Sequence, residues 1–251
     1  EARLVDEDEA LSAFPGIYDR VAAETPGMFA RSPEWWEHRL LSDPEWRRDG
    51  AGEQMRVVVE VGGRPEAYAL YRIREAFEEG SSTSTLEVRE AAGASPQGTA
   101  DVWRYLLDVD LIHTVVAELL PVDHPLQLLL VDARRMRFRV LDGLWLRLVD
   151  VGAALSSRSY ATEDALVFEI RDTFCPWNDG RWKLQTGGAE RTTAPAELAL
   201  DVGDLASVYL GGFTFADLFR AGLVEELVEG ALVRAAALFR TDGAPWCPEI
   251  F

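Results

Sequence analysis

Two strand-like runs, residues 55–61 and 66–74, flank Gly62-Gly63, and the second alternates through Ala67, Tyr68, Leu70 and Tyr71. Paired glycines tolerate the positive φ of a tight turn, so the stretch reads as a β-hairpin, and the rest of the first half must pack on it. Ahead of it, Asp6-Glu7-Asp8-Glu9 open a helix through Leu11, Phe14, Tyr18, Val21 and Ala22, with carboxylates at the positive end of the helix dipole. Ser32-Pro33 starts a second short helix carrying Trp35, Trp36 and Leu40. After the hairpin, a Gly/Ser-rich loop at 80–84 leads to a third strand at 85–90. Residues 99–107 then predict a helix with Val102, Trp103, Leu106 and Leu107 on one face, followed by a strand at 111–116 and a short apolar element at 125–131. Helix, strands, helix, strand in that order is an α+β unit.

The texture changes at 134–141, where Arg134, Arg135, Arg137 and Arg139 interleave with Phe138 and Val140. Such a run is an anion patch or a strand with one solvated arginine face, and the charge of the chain favours the second. The domain boundary is set here. The second half predicts a strand at 144–148, a helix at 151–157, a strand at 165–171 and a hairpin turn at Asn178-Asp179-Gly180. Three helices follow: 204–209, ending at Gly211-Gly212; one opened by Thr214 with capping-box spacing to Asp217; and an amphipathic one at 224–239.

Lys and Arg number 25 against 43 Asp and Glu, a net charge of −18 that lacks the basic footprint of a nucleic-acid binder and suits attraction of cations. Cys175 and Cys247 make no disulfide framework, and His38, His113 and His124 make no metal cluster. No apolar run reaches the ~18–20 residues of a membrane span. The start at Glu1 is no signal peptide, which fits a cytoplasmic chain, and the missing initiator Met points to residues upstream. No nucleophile elbow, P-loop or zinc-protease motif occurs.

The chain ends Ala244-Pro245-Trp246-Cys247-Pro248-Glu249-Ile250-Phe251. Most termini are polar and frayed, whereas two prolines and three large apolar side chains predict a docked tail. Docking carries the α-carboxylate along, and a group with a reference pKa of about 3.3–3.7 stays ionised, able to hold a cation or accept a proton. Glu249 adds a second carboxylate. The bland alternative is a tail that merely plugs an apolar groove.

Several stretches together resemble the Eis (enhanced intracellular survival) family of GNAT-type N-acetyltransferases. They are Asp142-Gly-Leu-Trp-Leu-Arg-Leu-Val-Asp150 with Ala154-Leu155, Cys175-Pro-Trp-Asn178 with Gly180-Arg-Trp-Lys-Leu184, Val208-Tyr-Leu-Gly-Gly212 and the ending Pro245-Trp-Cys-Pro248 to Phe251. In the first half, Tyr68-Ala-Leu-Tyr-Arg72 and Trp103-Arg-Tyr-Leu-Leu-Asp-Val-Asp110 are similar to the family's middle region, with Ala67 where a Gly is expected. The resemblance implies an α+β fold: a second GNAT-like domain at 1–137, then a sterol-carrier-protein-like domain at 138–251 that ends in the active-site carboxylate. The family's acetyl-CoA signature, R/Q-x-x-G-x-G/A, is expected nowhere in these residues. Acetyl-CoA is therefore expected on an N-terminal GNAT domain absent from this chain, which alone would be inactive.

By the same likeness, the C-terminal carboxylate of Phe251 is the general base, and Asp142 and Glu249 line the pocket of a cationic amine of polyamine, aminoglycoside or lysine type. No residue of this chain is assigned to a metal. A homo-oligomer, hexameric in the family, is also implied. The competing expectations are a carrier of a hydrophobic ligand and an oligomerisation scaffold.

Overall fold

A computed structural model describes residues 1–250; Phe251 lies outside the described residues. The chain divides into two compact units: Glu1–Gly143 together with the chain end from Trp246, and Leu144–Pro245.

The first unit holds a five-stranded sheet in the order β1-β2-β3-β6-β7, formed by β1 (Ala2–Leu4), β2 (Met55–Val61), β3 (Arg64–Arg74), β6 (Thr85–Gly93) and β7 (Thr114–Ala117). A small hairpin, β4 (Phe77–Glu78) with β5 (Ser81–Ser82), interrupts the path from β3 to β6. All sheet neighbours are antiparallel except β6 and β7, which run parallel across the connecting helix α2 (Pro96–Leu107).

Both faces of this sheet are apolar because side chains alternate along a strand. Val57, Val59, Ala67, Ala69 and Tyr71 pack with Val102, Trp103 and Leu106 of α2. Val58, Tyr68 and Leu70 pack with Ala10, Phe14, Ile17 and Tyr18 of α1 (Glu7–Glu24). Asp6 caps α1 by accepting from the Glu9 amide. The short helix α3 (Leu126–Leu129) follows β7.

Two expectations change in this unit. Residues Trp35–Leu41 form a π-helical turn, with the Ser42 amide donating five residues back to the Glu37 carbonyl. Its last carbonyls are held by side chains of other elements: Leu40 O accepts from Gln54 and Arg89, and Leu41 O from Arg56. The arginine run is solvated but forms no strand: Ala133–Arg135 is a 3-10 turn, and residues 137–149 have no regular structure.

In the second unit the sheet order is β10-β9-β8-β11-β12, from β8 (Leu166–Arg171), β9 (Gly180–Gln185), β10 (Gly188–Arg191), β11 (Leu198–Asp201) and β12 (Val224–Glu226). Helices α4 (Val151–Ser157), α5 (Val202–Tyr209), α6 (Phe215–Arg220) and α7 (Ala231–Leu238) complete it. One core joins Leu166, Phe168 and Ile170 of β8 to Leu155, Leu205, Phe215 and Leu238. The capping box of α6 forms with Asp217 in the acidic position. Asn178 is fully buried and, rather than turning a tight hairpin, ties the loop before β9 to the start of α4. Its side chain accepts from the Val151 amide and donates to Val149 O and Asp172.

Two predicted elements of this half are corrected. Residues 144–148 alternate like a strand, yet they carry no regular secondary structure, and Trp145 is 83% exposed. The helix expected over 224–239 is β12 followed by α7. Val224 pairs with Leu200 of β11, and Gly230 at φ 86 breaks the backbone before α7 starts. The division falls after Gly143, where the boundary was expected after residue 137, and the chain end belongs with the first unit.

Candidate active site

The chain end is anchored at Trp246. Its amide donates to Pro26 O at 2.9 Å, and its indole N–H to Leu119 O. Gly27 sits at φ 93 directly below, where a Cβ would lie 3.1 Å from Trp246 O; the close approach and the positive φ both call for glycine.

Three residues further on, Glu249 enters a buried cluster. Arg31 Nε and Nη2 donate to Glu249 Oε1 at 2.8 and 2.6 Å. Arg31 Nη1 and Nη2 donate to the two oxygens of Glu90 at 2.8 and 2.7 Å. The side chains of Arg31, Glu90 and Glu249 are only 2%, 5% and 8% exposed. The guanidinium lies over the rings of Tyr18 and Trp36, 3.9 and 4.9 Å from their centroids. Tyr68, fully buried on β3, donates its hydroxyl to Glu90.

A buried cation stays charged only when paired. Burial alone would depress the Arg31 pKa, but the Glu90 carboxylate overrides it and the net direction is upward. Tyr68 is pushed well above its ordinary value by burial and by the neighbouring Glu90 charge, and Tyr18 up to about 12, chiefly by burial.

Arg39, on the π-helical turn, donates to Ile250 O at 2.8 Å and stands 3.8 Å from Glu249 Oε2. The tail is thus held by its polar groups. Pro248 is buried, and Ile250 is 64% exposed.

Of the residues read from the sequence, Phe251 lies outside the described residues. Asp142 is exposed on the irregular stretch of the first unit, not at the head of a strand. Glu249 faces arginines. Arg31, Arg39, Tyr68 and Glu90 were not anticipated; the available signal was a carboxylate inside the β6 run of Leu86, Val88, Ala91 and Ala92. Among the described residues no group of side chains could hold a metal ion, and no helix is long and apolar enough to cross a membrane.

A pyrophosphate at a strand-to-helix turn needs free backbone N–H groups. Between β6 and α2 those of Ala94, Gly98 and Thr99 are already bound to Glu66 O, Ser95 Oγ and Ser95 O, and Pro96 has none. Cβ atoms on Gly93 and Gly98 would meet the Thr99 backbone at 2.7 Å and Glu66 O at 2.9 Å, so these glycines serve internal packing. Contrary to the expectation that the signature is missing, the pattern R-x-x-G-x-G does occur, at Arg47-Arg48-Asp49-Gly50-Ala51-Gly52. It lies in a turn before β2, not between a strand and a helix, and its Ala51 and Gly52 amides are bound to Arg48 O and Ile73 O. In both turns these amides are engaged within the chain.

Comparison with known proteins matches residues 27–148 to an acetyltransferase (GNAT) domain and residues 151–248 to a sterol carrier protein domain. An uncharacterised N-acetyltransferase of Streptomyces coelicolor is 42% identical over 97% of this chain and 60% of its own length. The N-acetyltransferase Eis of Mycobacterium tuberculosis is 31% identical over 96% of the chain and 57% of its own length. Among solved structures, Eis1 from Mycobacterium abscessus superposes over the whole chain and 62% of its own, with a TM-score of 0.83 and 34% identity.

The chain therefore spans about 60% of the curated relatives it matches. The GNAT match overturns the expectation that acetyl-CoA binding belongs to a domain absent from this chain.

Proposed function

We propose that this chain, whose GNAT domain followed by a sterol carrier protein domain is shared with Eis-type N-acetyltransferases, serves acetyl transfer from acetyl-CoA to a cationic amine. The chain end bears on the amine side of the reaction. An ammonium has no lone pair and must lose a proton before it attacks a thioester; the α-carboxylate of Phe251 takes that proton. The observation that carries this reading is the fixed chain end, anchored at Trp246 and held by Arg31 and Arg39 up to Ile250. A base must stand still relative to the proton it abstracts, and a frayed terminus could not.

Asp142 binds the amine from its exposed loop through charge-assisted hydrogen bonds, and the net charge of −18 draws cations toward the protein. Polyamines, aminoglycosides and lysine side chains are the substrate classes that suit this chemistry. A homo-oligomer, hexameric by family likeness, belongs to the same proposal.

The test is release of coenzyme A thiol from acetyl-CoA by the full chain, across a panel of these amines. Thiol release that depends on the amine is expected. Asp142→Asn is expected to raise the amine KM about tenfold with kcat retained. Absence of thiol release with every amine overturns the reading.

A further inference from the structure

We propose that Glu249 and Arg31 form a positioning latch for the chain end, and that Glu249 acts on the reaction only through this latch, never by contacting the amine. The inference rests on the reading of Phe251 as base and deepens it.

The latch is built from two opposed forks. Arg31 has five N–H donors, and four of them are engaged: two by Glu249, two by Glu90. Tyr18 and Trp36 close the faces of the guanidinium, and Tyr68 fixes Glu90 from below. One cation between two carboxylates in a nearly dry site leaves one negative charge over, which the Tyr68 hydroxyl on Glu90 and the Arg39 guanidinium near Glu249 offset.

Glu249 is one end of that chain. Both of its oxygens face guanidiniums, Oε1 toward Arg31 at 2.6 Å and Oε2 toward Arg39 at 3.8 Å. A carboxylate so placed neither reaches nor attracts an ammonium. It does define where the backbone after it runs, since Arg39 also holds Ile250 O one residue before the terminal position. The contacts join residues 218 apart in sequence and set the register of the tail.

The experiment compares the full chain with Glu249→Gln, Glu249→Ala, Arg31→Lys and a deletion of Phe251. Two readouts are taken: carboxypeptidase release of the last residues by mass spectrometry, and kcat and amine KM for acetyl transfer. Glu249→Ala is expected to speed tail release about 100-fold, the scale of losing one partner of a buried ion pair. It should lower kcat about 100-fold through a displaced base, with amine KM unchanged. Glu249→Gln keeps the shape without the charge and should fall between. Arg31→Lys keeps the charge without the fork and should restore only part of the protection.

A raised amine KM with kcat retained in Glu249→Ala would overturn the latch in favour of substrate binding. So would tail release at the wild-type rate. If deleting Phe251 leaves acetyl transfer intact, or no transfer is detected, the base reading fails, while carboxypeptidase protection still decides the latch.

Discussion

Acidification should destabilise the first unit through one ring, that of His124. Its Nε2 lies 3.2 Å from the indole N–H nitrogen of Trp103, and its Nδ1 lies 3.0 Å from the amide nitrogen of Leu126. Both neighbours are donors. A neutral imidazole has one acceptor nitrogen and can satisfy only one of them, whereas an imidazolium satisfies neither. Burial lowers the His124 pKa to about 4, against the opposing charge of Asp123. The folded value lies below the unfolded one of about 6.5, so between pH 6.5 and 4 the unfolded chain binds more protons. Stability from this group is complete above pH 6.5 and is lost as the pH falls toward 4. The separation of about 2.5 units corresponds to about 3 kcal/mol in full, of which about 2 kcal/mol is lost by pH 5.

The assay is urea unfolding at pH 7 and pH 5 for the wild type and His124→Gln. Carboxylates titrate in both proteins and cancel in the comparison. The wild type is expected to lose about 2 kcal/mol more than the variant over this interval, and an NMR titration of the ring should find its midpoint near 4. Equal losses in both proteins, or a midpoint near 6.5, would refute the argument that two donors trap a neutral ring.

Asn178→Ala removes the partners of the Val151 amide and of Asp172 in a site with no exposure, and should cost about 3 kcal/mol in chemical unfolding of the second unit. Gly27→Ala forces a Cβ to 3.1 Å from Trp246 O at φ 93. It should destabilise the first unit by about 1–3 kcal/mol and expose the tail to carboxypeptidase, and a variant with wild-type protection would contradict the anchoring role.

What the sequence made legible was local. The β2–β3 hairpin, the first turn of α1 and the capping box of α6 each follow from spacing within a few residues, and each formed. The run Leu144-Trp-Leu-Arg-Leu148 has the same alternation as β2, but alternation only permits a strand; a partner edge makes one. Over 224–239 the apolar spacing suits a helix, and it lost to the pairing of Val224 with β11 and to the backbone conformation at Gly230. The π-helical turn has no periodic signature, being held by Gln54, Arg56 and Arg89 from outside it. At the tail, composition announced docking, yet the grip comes from Arg31, Glu90 and Tyr68. Ion pairs between residues so far apart in sequence leave no pattern in a single chain.

Adding one glycine after Phe251 tests the central claim most directly, because it moves the terminal carboxylate while leaving Trp246, Glu249 and their partners untouched. With the full chain and a cationic amine that supports thiol release, kcat is expected to fall at least about 100-fold, the loss typical of a displaced general base. A kcat equal to that of the wild type would contradict the assignment of the chain end as the base.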